Sequence, residues 1–286
     1  MMKYFKRVFS IIILLAFSLR AEAQINLGKS ARAVSGISDR TLMVVDDNDP
    51  LVTSALRNAI KRKWNVSPFK FCTKSEFQRE KGDTSLFFLT VIKEKFRNEE
   101  AGMEYLSLLK GGPEDVKDVN GMYEVCSLPL KAGEEEEDYI LPFIEAYVKT
   151  MQKYVRKIQT DKIAAKLGIM WYSNKLTDLA GKRILINKTD LSSGLSEEYV
   201  NERLNGHGKV VDESIIYDCL DNSTPGTLVS ICIYPHKDPE GSFCYKMLLC
   251  TGNSTLYYYR RQKIKSSRPG GFLKSDIDKI SLANKF

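Results

Sequence analysis

Hydrophobic and polar positions divide the chain into a leader and a longer, regularly patterned remainder. Lys3, Lys6 and Arg7 make a basic start, Val8 to Leu19 is an apolar run broken only by Ser10 and Ser18, and Ala21-Glu22-Ala23 places small residues two apart. That order predicts a cleavable secretory signal peptide over residues 1–23. The run is about a dozen residues, short of the ~20 that span hydrocarbon as a helix, and no later segment approaches that length. The expected mature chain therefore starts at Gln24, has no transmembrane span after cleavage, and acts in the periplasm or as a secreted protein. Residues 24–40 are polar and aperiodic and read as a flexible lead-in.

The first regular pattern is the β-branched run Thr41 to Val45, followed by Asp49 as a helix N-cap with Pro50 at the first helical position. Val52, Ala55, Leu56, Ala59, Ile60 and Trp64 then recur at helical spacing. Phe69 to Cys72 reads as a strand, and Thr73 with Glu76 forms a capping box that opens a short helix to about Glu80. Leu86 to Ile92 is a continuous apolar run suited to a central strand covered on both faces. Strand-like stretches follow at Glu104 to Leu109 and Tyr123 to Leu130.

A long apolar stripe, Ile140, Ile144, Tyr147, Val148, Met151, Tyr154, Val155 and Ile158, predicts one helix over 138–167, with the acidic run Glu134 to Asp138 at its positive end. The first cycle then recurs: strand Arg183 to Ile186, helix from Ser196 through Leu204, strand Lys209 to Val211, a helix capped by Asp212, and strand Thr227 to Tyr234. Strand centres at Val44, Lys70 and Leu89 are 26 and 19 residues apart, and those at Leu185, Val210 and Ile231 are 25 and 21 apart. Antiparallel-looking strands close both cycles, here Phe243 to Cys250 and Thr255 to Lys263. The expected fold is α/β (α+β), an internal duplication of two βαβαβ units with added antiparallel strands. A first unit would cover 41–130, a linking helix and connector 131–180, and a second unit 181–286.

Composition narrows the function by exclusion. Losing Lys3, Lys6, Arg7 and Arg20 with Glu22 lowers the net charge from +7 to +4, too small an excess to indicate a nucleic-acid partner. Six cysteines form no Cys-x-x-Cys pair, and Cys232, Cys244 and Cys250 lie in apolar runs, as small buried hydrophobes do. With only His207 and His236, no zinc motif is formed, and neither a phosphate-binding glycine loop nor a serine-nucleophile elbow occurs. His207, between Gly206 and Gly208, is retained as a candidate general base against the plainer reading of an exposed turn. Leu42 to Asn48 resembles the acidic first strand of a receiver domain, but Lys93, Glu94 and Lys95 stand where the phosphate-accepting aspartate would be. No catalytic residue, metal or cofactor is assigned. Asn65, Asn187, Asn222 and Asn253 begin glycosylation-type triplets and are read as turn residues.

A βαβαβ unit behind an export signal, over Thr41 to Ile92 and again over Arg183 to Tyr234, resembles in outline the anticodon-binding-like domains of periplasmic proteins, of the TolB amino-terminal type. That resemblance implies a non-catalytic module that docks envelope proteins. The expected function is an interaction or scaffold protein of the bacterial cell envelope, with a carboxylate-pair hydrolase of envelope polymers or a small-ligand carrier as alternatives. Tyr257-Tyr258-Tyr259-Arg260-Arg261-Gln262-Lys263-Ile264-Lys265, together with Arg268, is the most concentrated aromatic and basic stretch of the expected mature chain. Strand alternation groups Tyr257, Tyr259 and Arg261 on one face and Tyr258, Arg260 and Gln262 on the other. Tyr257, Tyr259, Arg260, Arg261 and Lys263 are thus candidate binding residues, an aromatic platform with cations facing solvent for an envelope protein or an anionic surface component. Basic residues that protect an exposed sheet edge are the competing reading. Mass spectrometry of the exported protein is expected to give Gln24 as its first residue, and an intact leader would contradict the signal-peptide reading.

Overall fold

The computed structural model describes residues 34–94, 102–112, 119–132, 140–235 and 240–284, so the leader, the acidic run at 134–138 and His236 lie outside the described residues. Ten strands form two mixed five-stranded sheets. In the first, β1 (Leu42–Val45), β2 (Phe69–Cys72), β3 (Phe87–Glu94), β4 (Met103–Lys110) and β5 (Tyr123–Ala132) are ordered β2-β1-β3-β4-β5. In the second, β6 (Arg183–Asn187), β7 (Gly208–Val211), β8 (Thr227–Ile233), β9 (Phe243–Cys250) and β10 (Leu256–Lys263) are ordered β7-β6-β8-β9-β10. The two orders match position for position. In each sheet the first strand pairs in parallel with the second and third, and the last two strands are added antiparallel.

Local chemistry accounts for the helices. Asp49 caps α1 (Pro50–Lys63) by accepting from Leu51 N at 2.8 Å and Val52 N at 3.4 Å. The Thr73–Glu76 capping box opens α2 (Lys74–Glu80), with Glu76 Oε2 accepting from Thr73 N at 2.7 Å. The expected single helix over 138–167 is two: α3 (Ile144–Thr160), entered through a 3₁₀ turn at Leu141–Phe143, and α4 (Lys162–Leu167). The break is at Asp161, whose extended backbone (φ −115°, ψ 103°) frees its carboxylate to cap α4 through Ile163 N and Ala164 N. Ser196 caps α5 (Glu197–Leu204) through Tyr199 N. Asp212 stands at the start of α6 (Glu213–Asp221) but makes no side-chain cap, so only its carbonyl, accepting from Ile215 N, serves there. The last helix is α7 (Lys274–Ala283).

Alternation along the strands sorts the core. Leu42, Val44, Phe87 and Leu89 of the first sheet and Leu185, Val229, Ile231 and Met247 of the second belong to one buried cluster, so the two sheets share a core. Helices α1 and α3 from the first unit and α6 from the second contribute to it. Opposite faces carry separate clusters, Met43, Val45 and Phe88 against Phe77 of α2, and Ile184, Leu228 and Leu248 against Val200 of α5 and Ile277 of α7. Val34 and Ile37, at the end of the lead-in, are fully buried in the shared core and anchor the approach to β1.

Helix α3 is the joint. The Tyr147 hydroxyl donates to Pro129 O of β5 at 3.0 Å and touches Met247 Sδ of β9 at 4.0 Å, while Thr150 Oγ1 donates to Ser254 O in the β9–β10 turn at 2.7 Å. Tyr105 and Tyr245 join the sheets directly, hydroxyl to hydroxyl at 2.8 Å. A core common to both units is expected to unfold in a single calorimetric transition. Tyr147→Ala should lower its stability by about 3 kcal/mol or more. Two resolved transitions, with only one moved by Tyr147→Ala, would show that each unit stands alone.

Candidate functional site

Strand β10 buries most of what was expected to face solvent. Tyr257 is 9% exposed, Tyr258 1% and Tyr259 5%, so no solvent-facing tyrosine platform forms. The register of β10 against β9 shifts between Leu256 and Tyr258. That irregularity puts Tyr257 with Tyr258 in the outer cluster of the second sheet, whereas Tyr259 enters the shared core opposite them. Tyr257 and Tyr259 therefore do not share a face. Arg261 lies over the Phe243 ring at 4.7 Å, Lys182 lies over Tyr257 at 5.2 Å, and Lys263 is exposed. The chain at Gly168–Asp178 packs along β10, so this edge is covered by protein as well as flanked by charge.

Beneath β10 is an ion cluster absent from the sequence expectations. Lys246, in the middle of β9, is fully buried and donates to Asp276 Oδ2 at 2.6 Å and to Gln262 Oε1 at 2.9 Å. Asp276 also accepts from Tyr258 Oη at 2.7 Å, from Leu273 N at 3.0 Å and from Arg260 Nη1. Burial works to raise the Asp276 carboxyl, but the Lys246 ammonium and the hydrogen bonds from Lys246, Tyr258 and Leu273 prevail and hold it below the usual aspartate value. Arg260, offered by the sequence as a binding residue, is thus engaged in docking α7 to the sheet. Each carboxylate oxygen already accepts two donors, so the cluster is structural in character.

The remaining candidates disperse. His207 is exposed in the turn before β7. Asp46 is bidentate to Arg57, at 2.8 and 2.6 Å, and Asp47 pairs with Lys74 at 3.5 Å. Cys72, Cys126, Cys232, Cys244 and Cys250 are buried free thiols and Cys219 is half-buried, with Cys232 and Cys244 Sγ atoms 3.5 Å apart. Among the described residues no group of three or more His, Cys, Asp or Glu side chains is placed to hold a metal, and no helix is long and apolar enough to cross a membrane.

A cleft of about 430 Å³ opens where the two units meet, between α1 and the start of α3 on one side and the end of α6 with the β9–β10 turn on the other. Glu145, in the first turn of α3, is its hub. One carboxylate receives Arg62 Nη2 at 2.8 Å, Lys63 Nζ at 3.3 Å and Lys149 Nζ at 3.5 Å. Arg62 and Lys63 come from the last turn of α1, while Lys149 stands one turn beyond Glu145 on α3. Arg62, Lys63 and Lys149 outnumber Glu145 and Asp221, the two carboxylates of the lining, by one positive charge, and Thr251 and Ser254 belong to the facing wall. Such a site suits a second carboxylate or another oxyanion. Its parts are far apart in the chain, and none forms a motif.

Comparison with known proteins finds no matching family model, no matching curated protein and no matching solved structure.

The buried cluster makes a definite expectation. Asp276→Ala strands Lys246 without its counter-charge and should cost about 3–5 kcal/mol in urea unfolding, whereas Arg260→Ala, at a partly exposed partner, should cost less. Because the folded Asp276 value is depressed, its contribution is complete above the unfolded aspartate value of about 3.9 and is lost as pH falls through the lower, folded value. Unfolding followed below pH ~4 should therefore show a shallower loss of stability in the neutral pair Asp276→Asn with Lys246→Met than in the parent. Identical acid limbs would rule out this role for Asp276.

Proposed function

We propose that this chain is an exported, non-catalytic interaction or scaffold protein of the bacterial cell envelope, and that the cleft between its two units receives an acidic group of a partner. The observation that carries the binding reading is the convergence of Arg62, Lys63 and Lys149 on the single carboxylate of Glu145. Glu145 acts as an internal placeholder for an incoming anion. The export reading rests on the signal-peptide pattern of residues 1–23, and the docking role on the resemblance of its βαβαβ order of elements to TolB-type periplasmic domains. An internal duplication belongs to the same proposal, supported by the matching strand orders of the two sheets.

The hydrolase alternative has less support. A carboxyl that protonates a leaving group needs an acidity weaker than usual. Among the described residues the carboxyls clearly displaced, Glu76, Asp83, Asp161, Glu240, Asp276 and Asp278, are all displaced the other way.

A placeholder and a structural ion pair behave oppositely on removal. Glu145→Gln exposes three cations, so binding of a hexaglutamate peptide, followed by calorimetry at low salt, should strengthen several-fold. Replacing Arg62, Lys63 and Lys149 together by Gln should abolish it and change the set of proteins crosslinked to the chain in intact cells. Unchanged peptide affinity in both variants would overturn the cleft reading, and recovery of the chain in the cytoplasm with its leader intact would overturn the export reading.

A further inference from the structure

A second surface, remote in composition from the cleft, is carried by α4 and the segment after it. Asp161 starts α4 and Gly168 ends it, adopting φ 64° where a side chain would be strained. Between them Ala164 and Ala165 face inward, and beyond Gly168 the chain is tied down by buried Ile169 and Tyr172. Anchoring through that face turns the others out. Ile163 is 69% exposed, Leu167 40% and Met170 40%, so three of the seven large hydrophobic side chains exposed among the described residues fall within eight consecutive positions.

Single exposed hydrophobes are ordinary, whereas a cluster with a charged border marks a binding surface. Ile163 and Leu167 lie one turn apart on α4, and Lys162 and Lys166 run beside them as a second exposed pair. Among the described residues neither lysine has an ion-pair partner. Asp161, next to Lys162 in the chain, is already committed to capping α4 and to Lys157 at 2.9 Å. Trp171, next to Met170 in the chain, is half-buried against the shared core and set edge-on to Tyr172 at 5.3 Å, with Lys175 Nζ 4.4 Å and Lys157 Nζ 5.2 Å from its ring centroid.

We propose that Ile163, Leu167 and Met170 insert into the surface of an anionic lipid bilayer while Lys162 and Lys166 engage its headgroups. Short apolar side chains edged by lysine, with a half-buried tryptophan next in the chain, match the layering of a bilayer interface, where apolar and anionic zones lie a few ångströms apart. Neither contribution suffices alone. Three side chains give a weak insertion and two lysines a weak attraction, so binding requires both and is reversible by salt. The lysines select an anionic surface, and the projecting Ile163, Leu167 and Met170 select one with an apolar phase directly beneath its charges.

The test uses the protein as isolated from the exporting host, sedimented with large vesicles of phosphatidylcholine alone or of phosphatidylcholine with phosphatidylglycerol. Contact depth is read by quenching of tryptophan emission with bromine-labelled lipid. Trp64 is only 6% exposed, so quenching reports on Trp171. Expected are binding to phosphatidylglycerol vesicles, its loss in high salt, and quenching of Trp171. The triple change Ile163→Ser, Leu167→Ser, Met170→Ser should abolish quenching. Lys162→Glu with Lys166→Glu, at exposed positions without partners, should weaken binding on the order of thirty-fold or more. Absence of binding to anionic vesicles, equal binding to neutral ones, or quenching that survives the serine variant would overturn the proposal. Specific crosslinking of Met170→Cys to a protein in place of lipid would also overturn it. These residues are separate from Arg62, Lys63, Glu145 and Lys149, so failure here leaves the cleft reading untouched.

Discussion

Burial of α3 by both sheets at once is the constraint on which the rest of the structure depends. A helix on the surface of a sheet needs one apolar stripe, but α3 buries Ile144, Tyr147, Val148, Met151, Tyr154, Val155 and Ile158 and also Thr150 and Gln152. Polar side chains on that second face are tolerated because each has a named partner. Thr150 Oγ1 donates to Ala146 O and Ser254 O, and Gln152 Oε1 accepts from Asn65 N at 2.8 Å. The cleft follows from the same arrangement. Glu145 can face Arg62 and Lys63 because α1 lies alongside α3, and the β9–β10 turn closes the space because Thr150 holds its carbonyl.

Much of this architecture was legible in the residues. Strand positions followed from apolar runs, and helix starts followed from Asp49 with Pro50, from Thr73 with Glu76, and from Ser196, because caps are local chemistry. Spacing alone indicated that the two halves share an order of elements, and both sheets have it. Other features depend on partners distant in the chain. Nothing in the pattern Ile158…Ala164 signals a break, since an aspartate on the polar side of a helix looks the same whether it continues the helix or caps the next one. Lys246 reads as one polar residue in an apolar strand until Asp276, thirty positions later, supplies its counter-charge.

Legibility of the binding stretch failed for a definable reason. Alternation in a strand assigns faces only while the register is unbroken, and the shift between Leu256 and Tyr258 reverses the assignment of Tyr257. A run of tyrosines and arginines in sequence thus became two core faces and a buried ion cluster. The surfaces with surplus charge or exposed apolar area are elsewhere, at α1 with α3 and at α4, and each draws on residues that look unremarkable one at a time.

The two units meet head to tail: the α1 and α3 side of one sheet faces the α6 side of the other, while α2 and the α5–α7 pair lie on opposite exteriors. Helices in equivalent places consequently live in different solvents. Helix α2 needs a single buried anchor, Phe77, and is otherwise polar, whereas its counterpart α6 carries Ile216 into the shared core with Tyr217, Cys219 and Leu220 packed around it. An asymmetric join of like parts imposes unlike side chains on matched positions. Likeness between the halves is then carried by strand order and pairing direction, and not by the side chains.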